Sequence, residues 1–218
     1  ARSIVAPAVF EPATAFGCFT ISTIDHMALL LMPTLIANLT KLAPGLDLKI
    51  PPPSGDNVDL VAQGGVDLAI GVYEQLPASL YCRSLYDEDL VCIVRRGHPV
   101  IAKGLTLDHY TTLLHLLVII DGQGGSIVDA ALAQCGLSRR VAVRLPHFLA
   151  AAMFVAESDM ILSIPRRLAH RLAMSTQIEV LELPLDTGSF TLSMIWHERQ
   201  QDDPAHMWLR KQIVNAVE

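Results

Sequence analysis

The chain of 218 residues is long enough for one large domain or for two small lobes. Its formal net charge of −6 argues against nucleic-acid binding by the chain itself. Although 51% of the residues are hydrophobic, no apolar run approaches the roughly 18 residues of a membrane span, and the first residues do not form a signal peptide. The hydrophobic content therefore predicts buried parallel strands and a subunit interface.

The cysteines give no sign of a metal site. They show neither a CxxC motif nor a histidine at ligand spacing, so zinc is not expected; they are Cys18, Cys82, Cys92 and Cys135. Thiols without a secretory segment suit a reducing compartment. We therefore expect a cytoplasmic protein.

The N-terminal part begins with residues 1–13, which we interpret as a tether because Pro7 and Pro12 interrupt regular structure. A strand is predicted over residues 16–24, and Asp25 is expected to cap a helix over residues 26–42. That helix is apolar almost all round, whereas a helix that covers a sheet needs only an apolar stripe. We expect one side of it to contact a second subunit; a deeply buried helix is the alternative.

The segment over residues 56–72 sets the predicted fold class. Asp56 can cap a helix that stops at Gly64 and Gly65, and a short apolar run follows. This order is typical of one step in a parallel sheet that is covered on both faces. Further strands are predicted over residues 46–50, 79–86 and 89–94, the last two separated by an acidic turn at Asp87-Glu88.

The second half of the chain repeats the alternation of strands and helices. Strands are predicted over residues 116–120, 141–145, 160–164, 178–183 and 190–196. Helices are predicted over residues 105–115, 127–135 and 148–158, and from Pro165 and Pro204 onwards. Two such blocks predict an α/β fold with two lobes. Ligands of open α/β sheets bind at the carboxyl ends of the strands, so two facing lobes would share a cleft.

Five strand-to-helix junctions would line that cleft. They contain Thr23, Ile24 and Asp25; Ser54; Gly124, Gly125 and Ser126; His147 and Phe148; and Arg166 with Arg167. Helix N-termini present N–H groups and a partial positive charge, so the pattern predicts a small carboxylate-bearing ligand. Two arginines at one helix N-terminus oppose the helix dipole, which favours an anion nearby.

Each junction also has a purely structural interpretation. The glycine-rich loop lacks both GxGxxG and GxxxxGK[ST], so we expect neither a nucleotide nor any other cofactor. His147 could be a helix cap, Arg167 a solvated cation, and the acidic residues around Glu88 a solvated turn. Neither GxSxG nor HExxH occurs, so catalysis is not expected.

Several motifs occur in an order shared with a known family: Phe10-x-Pro12-Ala13-Thr14, Phe19-Thr20-Ile21, Ala43-Pro44, Gly65-Val66-Asp67-Leu68-Ala69-Ile70-Gly71, Gly97-His98-Pro99 and Ile164-Pro165. In this order the chain resembles, over nearly its whole length, the effector-binding domain of LysR-type transcriptional regulators. Its likeness to the branch of nodulation and aromatic-catabolism regulators is carried by Pro146-His147-Phe148, Trp196-His197, Asp203-Pro204 and Trp208-Leu209-Arg210.

The resemblance implies two Rossmann-like lobes of the type II periplasmic-binding-protein kind, joined by two crossovers. Lobe I would comprise residues 14–86 and 190–218, and lobe II residues 87–189. In the family a winged helix-turn-helix precedes the tether, so we expect DNA binding only through a part that is absent from this sequence. The function implied is the sensing of a small-molecule effector in the cleft.

The resemblance also implies roles for single residues. Arg167 matches a ligand-site arginine of the salicylate-type regulators. Ile24 replaces their usual Ser or Thr, Gly125 replaces a His, and Glu88 takes a cleft position that is Asn or His in them. These departures argue against salicylate itself but are compatible with another aromatic or apolar effector.

The resemblance further implies a homodimer, and a tetramer for the full-length protein. The helix over residues 26–42 would pack antiparallel against the helix over residues 148–158 of a second chain, and the expected interface residues are Leu30, Leu35, Ala151 and Val155.

Two other functions fit the same lobes. A periplasmic-type solute-binding protein for a small organic anion would carry a secretory segment upstream of Ala1. A small α/β enzyme acting on an aromatic acid would show turnover.

Overall fold

The computed structural model describes residues 10–52, 55–119 and 126–217. The chain divides into two compact units: the first comprises the described parts of residues 1–86 and 192–218, and the second those of residues 87–191. Each unit contains a five-stranded sheet and helices, so the predicted α/β class is confirmed. Ser54, Gly124 and Gly125 lie outside the described residues.

The elements follow one another in the order expected for alternating strands and helices. The strands are β1 (Gly17–Ser22), β2 (Leu46–Lys49), β3 (Leu68–Gly71), β4 (Leu80–Glu88), β5 (Leu90–Arg95), β6 (Leu114–Val118), β7 (Arg140–Leu145), β8 (Ile161–Pro165), β9 (Ile178–Glu182) and β10 (Phe190–His197). The helices are α1 (Asp25–Leu42), α2 (Asn57–Gln63), α3 (Pro99–Lys103), α4 (Leu107–Thr112), α5 (Ile127–Gln134), α6 (Phe148–Ala156), α7 (Arg166–Ala173) and α8 (Pro204–Val217). The chain passes between the two units within β4 and within β10.

The sheet of the first unit has the strand order β2-β1-β3-β10-β4. β1 is parallel to β2 and to β3, whereas β10 is antiparallel to β3. The predicted helix signals around α2 are confirmed: the Asp56 carboxylate accepts a hydrogen bond from the Val58 amide at 2.8 Å, and the helix ends at Gly64 with a φ of +77°. That positive φ strains any other residue at Gly64, and a Cβ there would lie 2.7 Å from the Arg199 guanidinium, which would have to move.

Helix α1 differs from its prediction at its start. Ile24, and not Asp25, is the N-cap, and Asp25 is the first helical residue; its carboxylate accepts a hydrogen bond from the amide of His26 at 2.9 Å. Pro33 lies inside the helix, which continues to Leu42. The helix packs against α8, and its inward side chains supply much of the core of this unit.

The sheet of the second unit has the strand order β7-β6-β8-β5-β9. β6 is parallel to β7 and β8, whereas β5 is antiparallel to both β8 and β9. The sheet is therefore mixed, whereas the apolar strands had suggested an all-parallel sheet. The predicted acidic turn is wrong, because Asp87 and Glu88 are the last residues of β4. Helix α3 was not predicted; Pro99 begins it, and the His98 ring accepts a hydrogen bond from the Val100 amide at 3.1 Å.

A buried polar network lies within the second unit. The Arg139 side chain is 1% exposed, and its guanidinium donates to the Asp129 carboxylate at 2.7 Å, to the Tyr110 hydroxyl at 3.1 Å and to the Ser126 hydroxyl at 3.2 Å. The Tyr110 hydroxyl is in turn 2.8 Å from that of Ser163 on β8. The network therefore ties α4, α5 and β8 to one guanidinium.

In the part of the chain that the structure describes, no helix is long and apolar enough to cross a membrane. The same residues contain no cluster of histidine, cysteine, aspartate and glutamate side chains that could hold a metal ion.

Candidate functional site

The carboxyl ends of the parallel strands carry the predicted site residues in each unit. In the first unit, Thr23, Ile24 and Asp25 connect β1 to α1. Thr23 is buried and its hydroxyl donates to the carbonyl of Ile70 on β3 at 3.4 Å, whereas Ile24 and Asp25 are half-buried. This junction therefore presents an apolar side chain and a carboxylate at the strand ends.

Two further side chains at this edge were not predicted. The hydroxyl of Ser22, the last residue of β1, donates to the Asn57 side-chain oxygen at 2.6 Å, which joins the end of β1 to the start of α2. Tyr73 follows β3, and burial raises the pKa of its hydroxyl. The strand-end rule that selected Thr23 would also have selected these residues, because Ser22 ends a strand and Tyr73 follows one.

In the second unit, Arg166 opens α7 and is held by two carboxylates. Its guanidinium donates to Asp89 at 2.7 Å and 2.9 Å, and to Glu182 at 2.7 Å and 2.8 Å. These contacts lower the pKa of both carboxyls and raise that of Arg166. The charge that seemed to require an external anion is thus compensated by Asp89, which precedes β5, and by Glu182 on β9, so Arg166 needs no external anion.

Glu88 and Arg167 meet at the N-terminus of α7. Glu88 is 5% exposed, and its carboxylate accepts a hydrogen bond from the Asp89 amide at 3.2 Å. Burial raises the pKa of the Glu88 carboxyl, whereas the backbone amides of Asp89 and Arg167 and the charge of Arg167 lower it, and burial dominates. The acidic stretch is therefore not a solvated turn. Arg167 itself is exposed.

The remaining predicted residues of this unit stand at two neighbouring helix starts. Ser126 is the N-cap residue of α5, and its hydroxyl accepts a hydrogen bond from Arg139. His147 is the N-cap residue of α6 and is exposed, whereas Phe148 is the first helical residue and is buried. Neither N-cap side chain bonds to its own helix. Since β6, β7 and β8 are parallel, these helix starts and that of α7 share one edge of the sheet.

Most of the predicted interface residues are buried within their own units. Leu35, Ala151 and Val155 are fully buried within their own units, so they offer no surface to a second chain, and only Leu30 is partly exposed. The apolar surface of α6 is supplied by larger side chains instead: Met153 is 51% exposed and Phe154 is 54% exposed.

Comparison with known proteins gives a family match over almost the whole chain. The family described as LysR substrate binding domain matches residues 14–218. The regulator SyrM of Rhizobium meliloti (strain 1021) is 33% identical over 208 residues, which cover 94% of this chain and 64% of that protein. SyrM of Rhizobium etli is 35% identical, over 91% of this chain and 59% of that protein. The chain therefore spans less than two thirds of the length of either relative.

The activator NahR of Pseudomonas putida is 30% identical over 203 residues, which cover 93% of this chain and 68% of that protein. Among solved structures, the regulatory domain of MexT, a transcriptional activator in Pseudomonas aeruginosa, has a TM-score of 0.81 at 28% identity; the match covers 94% of this chain and all of that one. HinK, a LysR family regulator of the same organism, has a TM-score of 0.72 at 19% identity, which shows the fold alone.

Proposed function

Because the chain belongs to the family of LysR substrate-binding domains, we propose that it is the inducer-sensing part of a transcriptional regulator. The family match over residues 14–218 is the observation that carries this proposal, and the regulator names of the relatives support it. Sequence-specific DNA binding would belong to a further part of the protein, since this chain is acidic. We place the regulator in the cytoplasm and assign it no catalytic role.

The effector we propose is a small organic anion with an apolar body. Arg167 and the His147 junction are its polar anchors in the second unit. Arg167 is exposed at the start of α7, and the starts of α6 and α7 bring two helix dipoles to the same sheet edge. In the first unit, the Thr23–Ile24–Asp25 junction is proposed as an effector contact.

Glu88 restricts the choice of effector. Its buried carboxyl lies beside Arg167, so a bare anion would be repelled whenever Glu88 is ionised. A ligand that also offers a hydroxyl or an amine can donate to this carboxylate while its own anionic group contacts Arg167. We therefore propose an effector with a carboxylate and a hydrogen-bond donor on one apolar skeleton.

Calorimetry and thermal shift with a panel of aromatic and aliphatic acids, with and without a donor group, test this assignment. A charge-assisted hydrogen bond contributes roughly 1.5–3 kcal/mol, so Arg167→Gln should weaken binding by about one to two orders of magnitude. Arg171→Gln is the matched control, because Arg171 is an exposed arginine at the other end of α7. Equal affinity of Arg167→Gln and wild type for a stabilising acid would contradict the anchor assignment.

We also propose that the protein is a homodimer through α1 and α6, with a tetramer as the full-length form. The exposed Met153 and Phe154 on α6 support this proposal, since large apolar side chains clustered on one surface mark interaction sites. Ile36 and Leu42 supply exposed apolar surface on α1.

A further inference from the structure

A cavity in the second unit lies at the edge of the sheet opposite the one that carries Arg167 and His147. It encloses about 250 Å³ between α3, α4 and the segment that precedes β8; we call it the α3–α4 cavity, and its main lining residues are His98, Val100, Lys103, His109, Leu113 and Asp159. Leu113 precedes β6 and Asp159 precedes β8, so the cavity lies at the amino ends of these parallel strands. The volume is just below the range of drug-sized ligand sites, roughly 300–1,000 Å³, so it suits a smaller molecule.

His98 fixes one wall of the cavity. The residue is 4% exposed, and its Nδ1 accepts a hydrogen bond from the Val100 amide at 3.1 Å. The ring hydrogen is therefore on Nε2, which donates to the carbonyl of Asp159 at 3.3 Å. Both ring nitrogens are used within the protein, so His98 shapes the cavity but leaves no ring nitrogen for a ligand. A wall held in this way costs a ligand little ordering entropy.

His109 brings a hydrogen-bond acceptor to the lining. Its Nδ1 lies 2.8 Å from the carbonyl of Gly104. A carbonyl only accepts, so Nδ1 carries the hydrogen, and Nε2 of the neutral ring is left as an acceptor. Within the described part of the chain, Nε2 forms no hydrogen bond, so it is available to a ligand that donates.

Two opposite charges line the cavity without pairing with each other. Lys103 is the last residue of α3; it is exposed and forms no ion pair with any residue of the described ranges. Asp159 is exposed as well, and its Oδ1 accepts a hydrogen bond from Arg95 Nε at 2.7 Å. Its Oδ2 accepts none from the residues that the structure describes.

This charge pattern selects a ligand that carries both signs. A simple anion would be attracted by Lys103 but repelled by Asp159, and the reverse holds for a simple cation. A zwitterion gains from both side chains. The buried Val100 and the half-buried Leu113 add apolar surface to the same lining.

We propose that the α3–α4 cavity is a second ligand site, which binds a small α-amino acid with an aliphatic side chain. Lys103 contacts the carboxylate of the ligand. Asp159 Oδ2 and His109 Nε2 accept hydrogen bonds from its ammonium group, and Val100 and Leu113 contact its side chain. This site is separate from the proposed effector site and does not depend on the proposed function.

Titration of the isotopically labelled 218-residue chain by NMR at pH 7.5 tests the proposal. The probes are L-valine, isovalerate, which lacks the ammonium group, and isobutylamine, which lacks the carboxylate. L-Valine should give saturable shifts of the Val100 and Leu113 amides and bind at least about tenfold more tightly than either of the other two. Lys103→Gln should weaken L-valine binding by at least about tenfold without weakening that of isobutylamine. Asp159→Asn should weaken L-valine binding to a similar extent without weakening that of isovalerate.

Arg140→Gln and Glu157→Gln are the matched controls, because both residues are exposed in the same unit and the changes in net charge are the same. The controls should leave L-valine binding within about twofold of wild type. Lys103 and Asp159 are exposed, so their variants should fold as the wild type does. The proposal is wrong if L-valine gives no saturable shifts at Val100 and Leu113, or if isovalerate or isobutylamine binds as tightly as L-valine. It is equally wrong if Lys103→Gln or Asp159→Asn binds L-valine as its control does.

Discussion

Replacing Arg139 by methionine should destabilise the second unit, because this guanidinium is the centre of a buried network. Its side chain is 1% exposed, and it donates to Asp129, Tyr110 and Ser126. Methionine preserves much of the length of the side chain but none of its donors. Breaking a buried ion pair by removing one partner costs about 3–5 kcal/mol. Asp129 is 40% exposed and can regain water after the change, so we expect about 2–4 kcal/mol.

The measurement is urea unfolding followed by far-ultraviolet circular dichroism, with hydrogen exchange of the β6, β7 and β8 amides to locate the loss. Arg140→Met is the matched control: it removes the neighbouring arginine of the same strand start, whose side chain is exposed. We expect the control to change stability by less than about 0.5 kcal/mol. If the two variants are equally stable, the network around Arg139 does not stabilise the second unit.

The other predictions concern pH, assembly and DNA. Burial lowers the pKa of His26 and of His115 to about 4, so the unfolded state takes up protons first as the pH falls below about 6.5. The protein should therefore keep its full stability above that pH and lose about 2 kcal/mol of unfolding free energy per histidine by pH 5, as measured by urea unfolding. Equal stability at pH 7.5 and pH 5 would contradict this. Met153→Lys combined with Phe154→Lys should shift sedimentation towards the monomer while the control Glu157→Lys should not, and an unchanged dimer would remove α6 from the interface. The purified 218-residue chain should give no sequence-specific gel shift at physiological salt, and a specific shift would overturn the assignment of DNA binding to another part of the protein.

The order of the elements could be predicted from the sequence because each helix and strand carries local signals. Asp56 and Gly64 delimit α2 through a cap and a positive φ, which are properties of single residues. The direction of β5 is not local: nothing in its apolar residues distinguishes a parallel from an antiparallel strand. The mixed sheet of the second unit was therefore missed.

The candidate site was predicted only in part for the same reason. Arg166 contacts Asp89, 77 residues earlier, and Glu182, 16 residues later, because β5 pairs with both β8 and β9. No spacing rule places these carboxylates beside the guanidinium. The outer face of α6 could not be predicted, because this helix has no polar side chain to mark it. Ala151 and Val155 are buried, whereas Met153 and Phe154 are exposed.

The position of β10 has a consequence for synthesis of the chain on the ribosome. β10 lies between β3 and β4 in the first sheet, and its residues Leu192, Met194 and Ile195 are fully buried. The sheet of the first unit therefore cannot be completed until β10 has been synthesised. Every strand of the second sheet is synthesised before β10. The second unit is thus an uninterrupted insertion that can fold first, and its two ends are held together by a hydrogen bond of 2.6 Å from the Thr191 hydroxyl to the Asp87 carboxylate. A chain cut short before residue 192 would leave the first unit with a split sheet and an open core.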